Sequence, residues 1–173
     1  MSSLAEALKD CEAIRFGDFT LASGKKSRYY IDIKKASTNP AVLKLIAIEI
    51  KNKIQERSMQ GDFIGCVALG GVPIAVAVSL ETGLPLVIVR KETKDYGTKG
   101  QIIGDPEPGS LVILVEDVTT TGGSVLKAIE ILKEEELEVH YVLVVVDREE
   151  GASGNLKKIG VELIPLARIS DLL

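Results

Sequence analysis

Residues Val112 to Ser124 read VILVEDVTTTGGS. An apolar, β-branched run comes first, two acids follow, and hydroxyls and glycines then lead toward a segment of helical spacing. This order predicts a strand, a tight turn and a helix. In a parallel sheet the carboxyl ends of the strands face the ligand crevice, so Glu116 and Asp117 are expected to project there and accept hydrogen bonds from a diol. Thr120, Thr121, Gly122, Gly123 and Ser124 combine hydroxyl donors with unobstructed backbone N–H groups at a helix start, which favours a phosphate. A diol beside a phosphate describes a ribose phosphate.

A plain strand-to-helix turn with a Ser/Thr cap would account for Gly122 and Ser124, but not for the acid pair before them. No lysine follows the glycines, and no G-x-G-x-x-G precedes an acid about 20 residues on, so triphosphate-loop and dinucleotide readings both weaken.

Around this stretch the chain alternates short apolar runs with helical segments. Phe63–Leu69 (FIGCVAL), Leu84–Arg90 (LPLVIVR), Leu111–Glu116 (LVILVE), Val139–Val146 (VHYVLVVV) and Val161–Leu166 (VELIPL) are five strand candidates. They are apolar throughout rather than alternating, as expected when helices cover both faces of a parallel sheet. Helices are expected over Pro73–Glu81 and Ser124–Glu136; in the second, Val125, Ile129 and Leu132 share a face opposite Lys127, Lys133 and Glu134. The pattern is a doubly wound α/β fold. Ahead of it, Ser2–Lys9 and Ala41–Gln55 read as amphipathic helices flanking an aromatic, polar segment whose Tyr29 and Tyr30 suit an extended strand. No linker or internal repeat interrupts the chain, so one domain is expected over 1–173, with an N-terminal subregion (1–60) and an α/β core (61–173).

Arg90 to Gly104 (RKETKDYGTKGQIIG) sets Arg90, Lys91, Lys94 and Lys99 among glycines. Alone it reads as a solvated surface loop. Four cations on a glycine-bearing segment also suit a polyphosphate.

Bulk properties narrow the function classes. The 173 residues are 46% hydrophobic and 27% charged, and 21 basic against 25 acidic residues leave a formal charge of −4. That balance argues against a broad nucleic-acid surface. Cys11 and Cys66 read as separate reduced thiols, which points to the cytoplasm. No leader or membrane-spanning run is apparent. His140 is the only histidine, and with two scattered cysteines no protein metal site is expected.

Apolar strand, Glu116-Asp117 and Thr119-Thr120-Thr121-Gly122 together resemble the signature by which type I phosphoribosyltransferases bind phosphoribosyl diphosphate (PRPP). Arg90-Lys91-Glu92-x-Lys94-x-x-Gly97 resembles the mobile catalytic loop of the orotate phosphoribosyltransferases. Phe16–Asp32 (FGDFTLASGKKSRYYID) is similar to the orotate-side hood of that family. Leu69-Gly70-Gly71-Val72-Pro73 stands where the superfamily has its pyrophosphate loop, and Asp147-Arg148-Glu149 where the orotate family has Asp-Arg-x-Glu. Two positions depart from the pattern: Tyr96 replaces a histidine found in many members, and Ala22 a lysine that reaches the pyrimidine.

The resemblance implies a type I phosphoribosyltransferase fold, a mostly parallel five-stranded sheet flanked by helices with a small hood. It also implies transfer of the phosphoribosyl group of PRPP to orotate in pyrimidine biosynthesis, with Mg²⁺ held mainly through PRPP. Lys94, Glu116 and Asp117 are the catalytic candidates. For PRPP the candidates are Arg90, Lys91, Lys94, Tyr96, Glu116, Asp117 and Val118 through Ser124 (Val118, Thr119, Thr120, Thr121, Gly122, Gly123, Ser124). For orotate they are Thr120, Arg148 and Lys25, the arginine because its planar guanidinium can grip a carboxylate at two points. Orotate and PRPP are the expected partners, without nucleic acid or membrane, in a homodimer that shares segment 90–104 across its interface. The rivals are a purine or other phosphoribosyltransferase, and a PRPP-sensing transcription regulator of the same fold; neither the charge nor any added DNA-binding segment favours the latter.

Overall fold

The computed structural model describes residues 3–20, 24, 26–92 and 100–173. Helix α1 (Leu4–Asp10) opens with a capping box in which Ser3 and Glu6 satisfy each other's backbone N–H. Strands β1 (Ile14–Thr20) and β2 (Lys26–Ile31) then pair as an antiparallel hairpin, with Phe16 opposite Tyr29 and Arg15 opposite Tyr30. Tyr29 and Tyr30 thus lie in an extended strand, as expected, and Ile14–Thr20 supplies the partner strand of the hairpin.

Short helix α2 (Ile33–Ser37) follows, capped by Asp32, and α3 (Pro40–Glu56) starts with Asn39 accepting from two backbone N–H groups. Thereafter come β3 (Phe63–Val67), α4 (Val72–Thr82), β4 (Leu86–Val89), β5 (Ile102–Ile103), β6 (Leu111–Thr119), α5 (Gly123–Glu134), β7 (Glu138–Asp147), α6 (Ala152–Lys157), β8 (Glu162–Arg168) and α7 (Ile169–Leu172).

The main sheet has six strands in the order β5-β4-β3-β6-β7-β8. All neighbours are parallel except β4 and β5. The five expected strands are thus joined by a sixth, Ile102–Ile103, too short to leave a periodic signal. Helices α1, α3 and α4 cover one face, where Ile46, Ile50, Ile74 and Val78 pack on Ile64, Ile113 and Leu143. Helices α5 and α6 cover the other, where Ile129, Leu132 and Leu156 meet Leu114, Val142 and Val144. This two-sided burial explains why the strand sequences are apolar without alternation.

From β3 the chain runs outward to β4 and then returns to place β6 on β3's other side. The order reverses between β3 and β6, and the crevice beyond their carboxyl ends is the natural ligand position of such a sheet.

Candidate active site

Both loops flanking that crevice are shaped by close packing. After β3, Gly70 lies so near Asp117 that an added Cβ would overlap its carboxylate, and a Cβ on Gly71 would stand 3.1 Å from the Val115 carbonyl oxygen. The peptide bond between Ala68 and Leu69 is cis. After β6, Gly122 takes φ 83°, the left-handed region that suits glycine, with Ala152 at 3.4 Å from where a Cβ would be.

Helix α6 buttresses this second loop: the Ala152 N–H donates to the Thr120 carbonyl at 3.1 Å, and Asn155 Nδ2 donates to the Thr121 carbonyl at 3.0 Å. Because Gly122 is the N-cap of α5 and supplies no side-chain acceptor, the first N–H groups of α5 keep their capacity for an anion.

The acid pair stands between the two loops. Glu116 is 7% exposed. Its Oε1 accepts from the Asp117 N–H at 3.0 Å, and Asp117 Oδ1 accepts from the Val118 N–H at 2.8 Å. Burial, and then the neighbouring Asp117 carboxylate, push the Glu116 pKa up to about 8, so the pair holds a proton at neutral pH. Cys66 is fully buried, and burial together with the Glu116 charge raises its thiol to about 12. Cys11 and Cys66 are both free thiols.

Glu116 and Asp117 line a cavity of ≈ 220 Å³ with Lys34, Gly70, Lys91 and Ser124. A second cavity of ≈ 210 Å³ shares Val67, Lys91 and Ser124 with it and adds Arg90 and Lys127. A larger concavity, ≈ 520 Å³, runs along β8 and α6 instead. It contains none of the acids, glycines or hydroxyls of the crevice, so we place the chemistry in the smaller pair.

On the far side of β6, Thr119 is buried and its Oγ1 donates to Asp147 Oδ1 at 2.9 Å; the same oxygen accepts from the Glu149 N–H at 3.2 Å. The Thr119 hydroxyl therefore ties β6 to β7. Arg148 follows, its N–H donating to the Thr119 carbonyl at 2.9 Å. Its side chain is 20% exposed, with one terminal nitrogen 2.8 Å from Glu150 Oε1 and the guanidinium carbon 5.5 Å from the Tyr29 ring centroid. Among the described residues Arg148 Nε is buried without a hydrogen-bond partner, an unmet donor at the position expected for the base.

Of the residues singled out in the sequence, the structure brings together Arg90, Lys91, Glu116, Asp117, Val118 and Ser124 as cavity walls, with Thr120, Thr121, Gly122 and Gly123 as the turn beside them. Lys25, Lys94 and Tyr96 lie outside the described residues. Sequence reasoning passed over Lys34, Lys127, Asn155 and the stacking role of Tyr29. Only Tyr29 carried a signal, its place in the Tyr-Tyr-x-Asp element. Among the described residues no three His, Cys, Asp or Glu side chains converge on a metal position, and no helix is long and apolar enough to cross a membrane. His140 is exposed, 3.3 Å from Glu138.

A doubly wound sheet with an acid pair and a glycine-hydroxyl turn at its switch point is the form of a phosphoribosyltransferase, and residues 33–163 match the phosphoribosyl transferase domain family. The chain is 59% identical over 170 residues to the orotate phosphoribosyltransferase of Methanosarcina mazei, covering 98% of this chain and 90% of that one. The crystal structure of orotate phosphoribosyltransferase from Aeropyrum pernix superposes with a TM-score of 0.87 at 36% identity, covering 98% of this chain and 96% of that one. The Mycobacterium tuberculosis orotate phosphoribosyltransferase in complex with PRPP gives 0.81 at 29% identity, covering 98% and 96%. The chain belongs to the orotate phosphoribosyltransferase family.

Proposed function

We propose that this enzyme joins orotate to the ribose of PRPP, giving orotidine 5′-phosphate and pyrophosphate in pyrimidine (UMP) biosynthesis. The observation that carries the choice of base is Arg148, whose buried Nε, without a partner among the described residues, and whose planar guanidinium beside the Tyr29 ring suit a carboxylate.

In this reading orotate N1 attacks C1 of the ribose and gives up its proton to solvent, while the C1–O bond to the diphosphate breaks and pyrophosphate leaves with the electron pair. Little covalent chemistry falls to the protein; alignment and neutralisation of charge supply the rate. Glu116 and Asp117 hold the ribose hydroxyls. The turn from Thr120 to Ser124 and the start of α5 hold the 5′-phosphate, and Thr120 with Arg148 holds orotate, where Lys25 is a further candidate. Arg90, Lys91, Lys94 and Tyr96 enclose the pyrophosphate, with Lys94 the foremost cation. Val118 and Thr119 shape the turn.

Mg²⁺ fits this donor set. Two carboxylates without a third ligand among the described residues suit an ion that takes most of its coordination from substrate oxygens and water, where it would neutralise diphosphate charge.

The reading includes a cytoplasmic homodimer in which segment 90–104 serves the neighbouring subunit's site. Support for self-association comes from Val76 and Leu80, exposed by 41% and 81% one turn apart on α4. Their spacing sets an apolar stripe facing outward. Two free thiols agree with a reducing compartment.

Incubation with PRPP, Mg²⁺ and each of orotate, uracil, hypoxanthine and adenine tests the proposal. Orotate alone should be consumed, since a base without a carboxylate leaves the buried Arg148 Nε unmatched. Efficient turnover of any other base contradicts it.

A further inference from the structure

Lys34 reaches the crevice from outside every motif of the sequence. Its backbone is fixed at both ends: the N–H donates to Asp32 Oδ1 at 3.2 Å, while its carbonyl accepts from the Thr38 N–H at 3.0 Å, Thr38 Oγ1 at 2.9 Å and Ser37 Oγ at 3.2 Å. Ile33, Ala36 and Ser37 bury the inner side of the same turn. Its side chain, in contrast, pairs with no carboxylate among the described residues. Adjacent Lys35 points elsewhere, to Glu12 at 2.9 Å.

An anchored backbone carrying an uncommitted ammonium group is a preorganised cation. Lys34 shares the ≈ 220 Å³ cavity with Gly70, Lys91, Glu116, Asp117 and Ser124. The loop after β3 carries no cation of its own, its residues 68–71 being Ala, Leu, Gly and Gly, and Gly70 packs directly against the Asp117 carboxylate. A phosphate lying over that loop meets backbone from below and needs its counter-charge from another element. Helix α2 provides one.

The geometry points to Lys34 as a further substrate-binding residue, whose ammonium group contacts the diphosphate of PRPP over the Ala68–Gly71 loop and holds it as it leaves. This inference rests on the phosphoribosyl-transfer reading and adds a contact from the hood side of the crevice.

Calorimetric binding of Mg²⁺-PRPP, Mg²⁺-pyrophosphate and ribose 5-phosphate to the full-length wild type, Lys34→Gln, Lys34→Arg and Lys35→Gln tests it. Lys34→Gln should weaken PRPP and pyrophosphate about tenfold or more, the usual scale of a charge-assisted contact. Ribose 5-phosphate, which lacks the diphosphate, should change less than about twofold, Lys34→Arg should recover most of the loss, and Lys35→Gln should match wild type. Unchanged PRPP binding by Lys34→Gln overturns the assignment, and so does an equal loss for ribose 5-phosphate. A wild type that binds PRPP yet leaves orotate unconsumed overturns the reaction instead, and the binding series still decides Lys34. A wild type that does not bind PRPP overturns both.

Discussion

Arg148 lies over the ring of Tyr29, its guanidinium carbon 5.5 Å from the centroid. One residue comes from the hairpin of the N-terminal part and the other from the end of β7, so the hood and the core meet at a planar cation. The cation–π contact holds the guanidinium against the ring, and Nε, without a partner among the described residues, remains a donor. Replacement of Arg148 by Lys removes both the plane and the two-point grip. The KM for orotate should rise roughly tenfold or more while that for PRPP stays near wild type. Steady-state kinetics with each substrate varied in turn checks this, and an equal rise for both would remove Arg148 from the base site.

Glu116, if it holds the ribose as proposed, should make PRPP binding pH-dependent. Its pKa is raised to about 8, first by burial and then by Asp117, so at pH 7 it is mostly protonated. Ribose hydroxyls donate to the carboxylate and favour its ionised form, so binding expels the proton. PRPP affinity should then fall as the pH drops below about 8, approaching tenfold per unit. Calorimetry in buffers of different ionisation enthalpy should show proton release at pH 7 that exceeds that of Glu116→Gln, whose comparison cancels the titration of the PRPP phosphates. Equal proton release by the two would contradict this role.

Gly70 gives a steric test. The methyl group of Gly70→Ala would overlap the Asp117 carboxylate and turn it out of place. The kcat/KM for PRPP should fall at least about tenfold, since each tenfold step needs only ~1.4 kcal/mol of lost transition-state binding. Gly154→Ala, where a Cβ meets nothing within 4 Å, should leave the kinetics unchanged and serve as the control.

Much of this architecture was legible in the sequence. Strands β3, β4, β6, β7 and β8 are buried on both faces and announce themselves as apolar runs, and the Glu116-to-Ser124 turn carries its chemistry in consecutive residues. The hairpin was not, because β1 and β2 are largely exposed and their alternation is carried by aromatic and charged side chains together. Helices α2, α6 and α7, at five, six and four residues, are too short to show a helical period. Lys34 and Asn155 stayed hidden for another reason. Each acts on a loop distant in the chain, a relationship that only the folded backbone creates.

A shared site can be read by complementation. Lys94→Ala and Asp117→Ala should each give a nearly inactive homodimer. If Lys94 serves the neighbouring subunit, a heterodimer gathers both defects in one site and leaves the other whole. Random pairing makes about half the dimers mixed, so roughly a quarter of wild-type activity should return on co-assembly. No recovery in a mixture proven to contain heterodimers would place Lys94 in its own subunit's site.

The transfer itself is tested most directly by following orotate absorbance and pyrophosphate together in one reaction with PRPP and Mg²⁺. Orotate should disappear in step with pyrophosphate release, one for one, and neither should change when either substrate is omitted. Pyrophosphate released without loss of orotate, or orotate left intact by an enzyme that binds PRPP, would contradict the account.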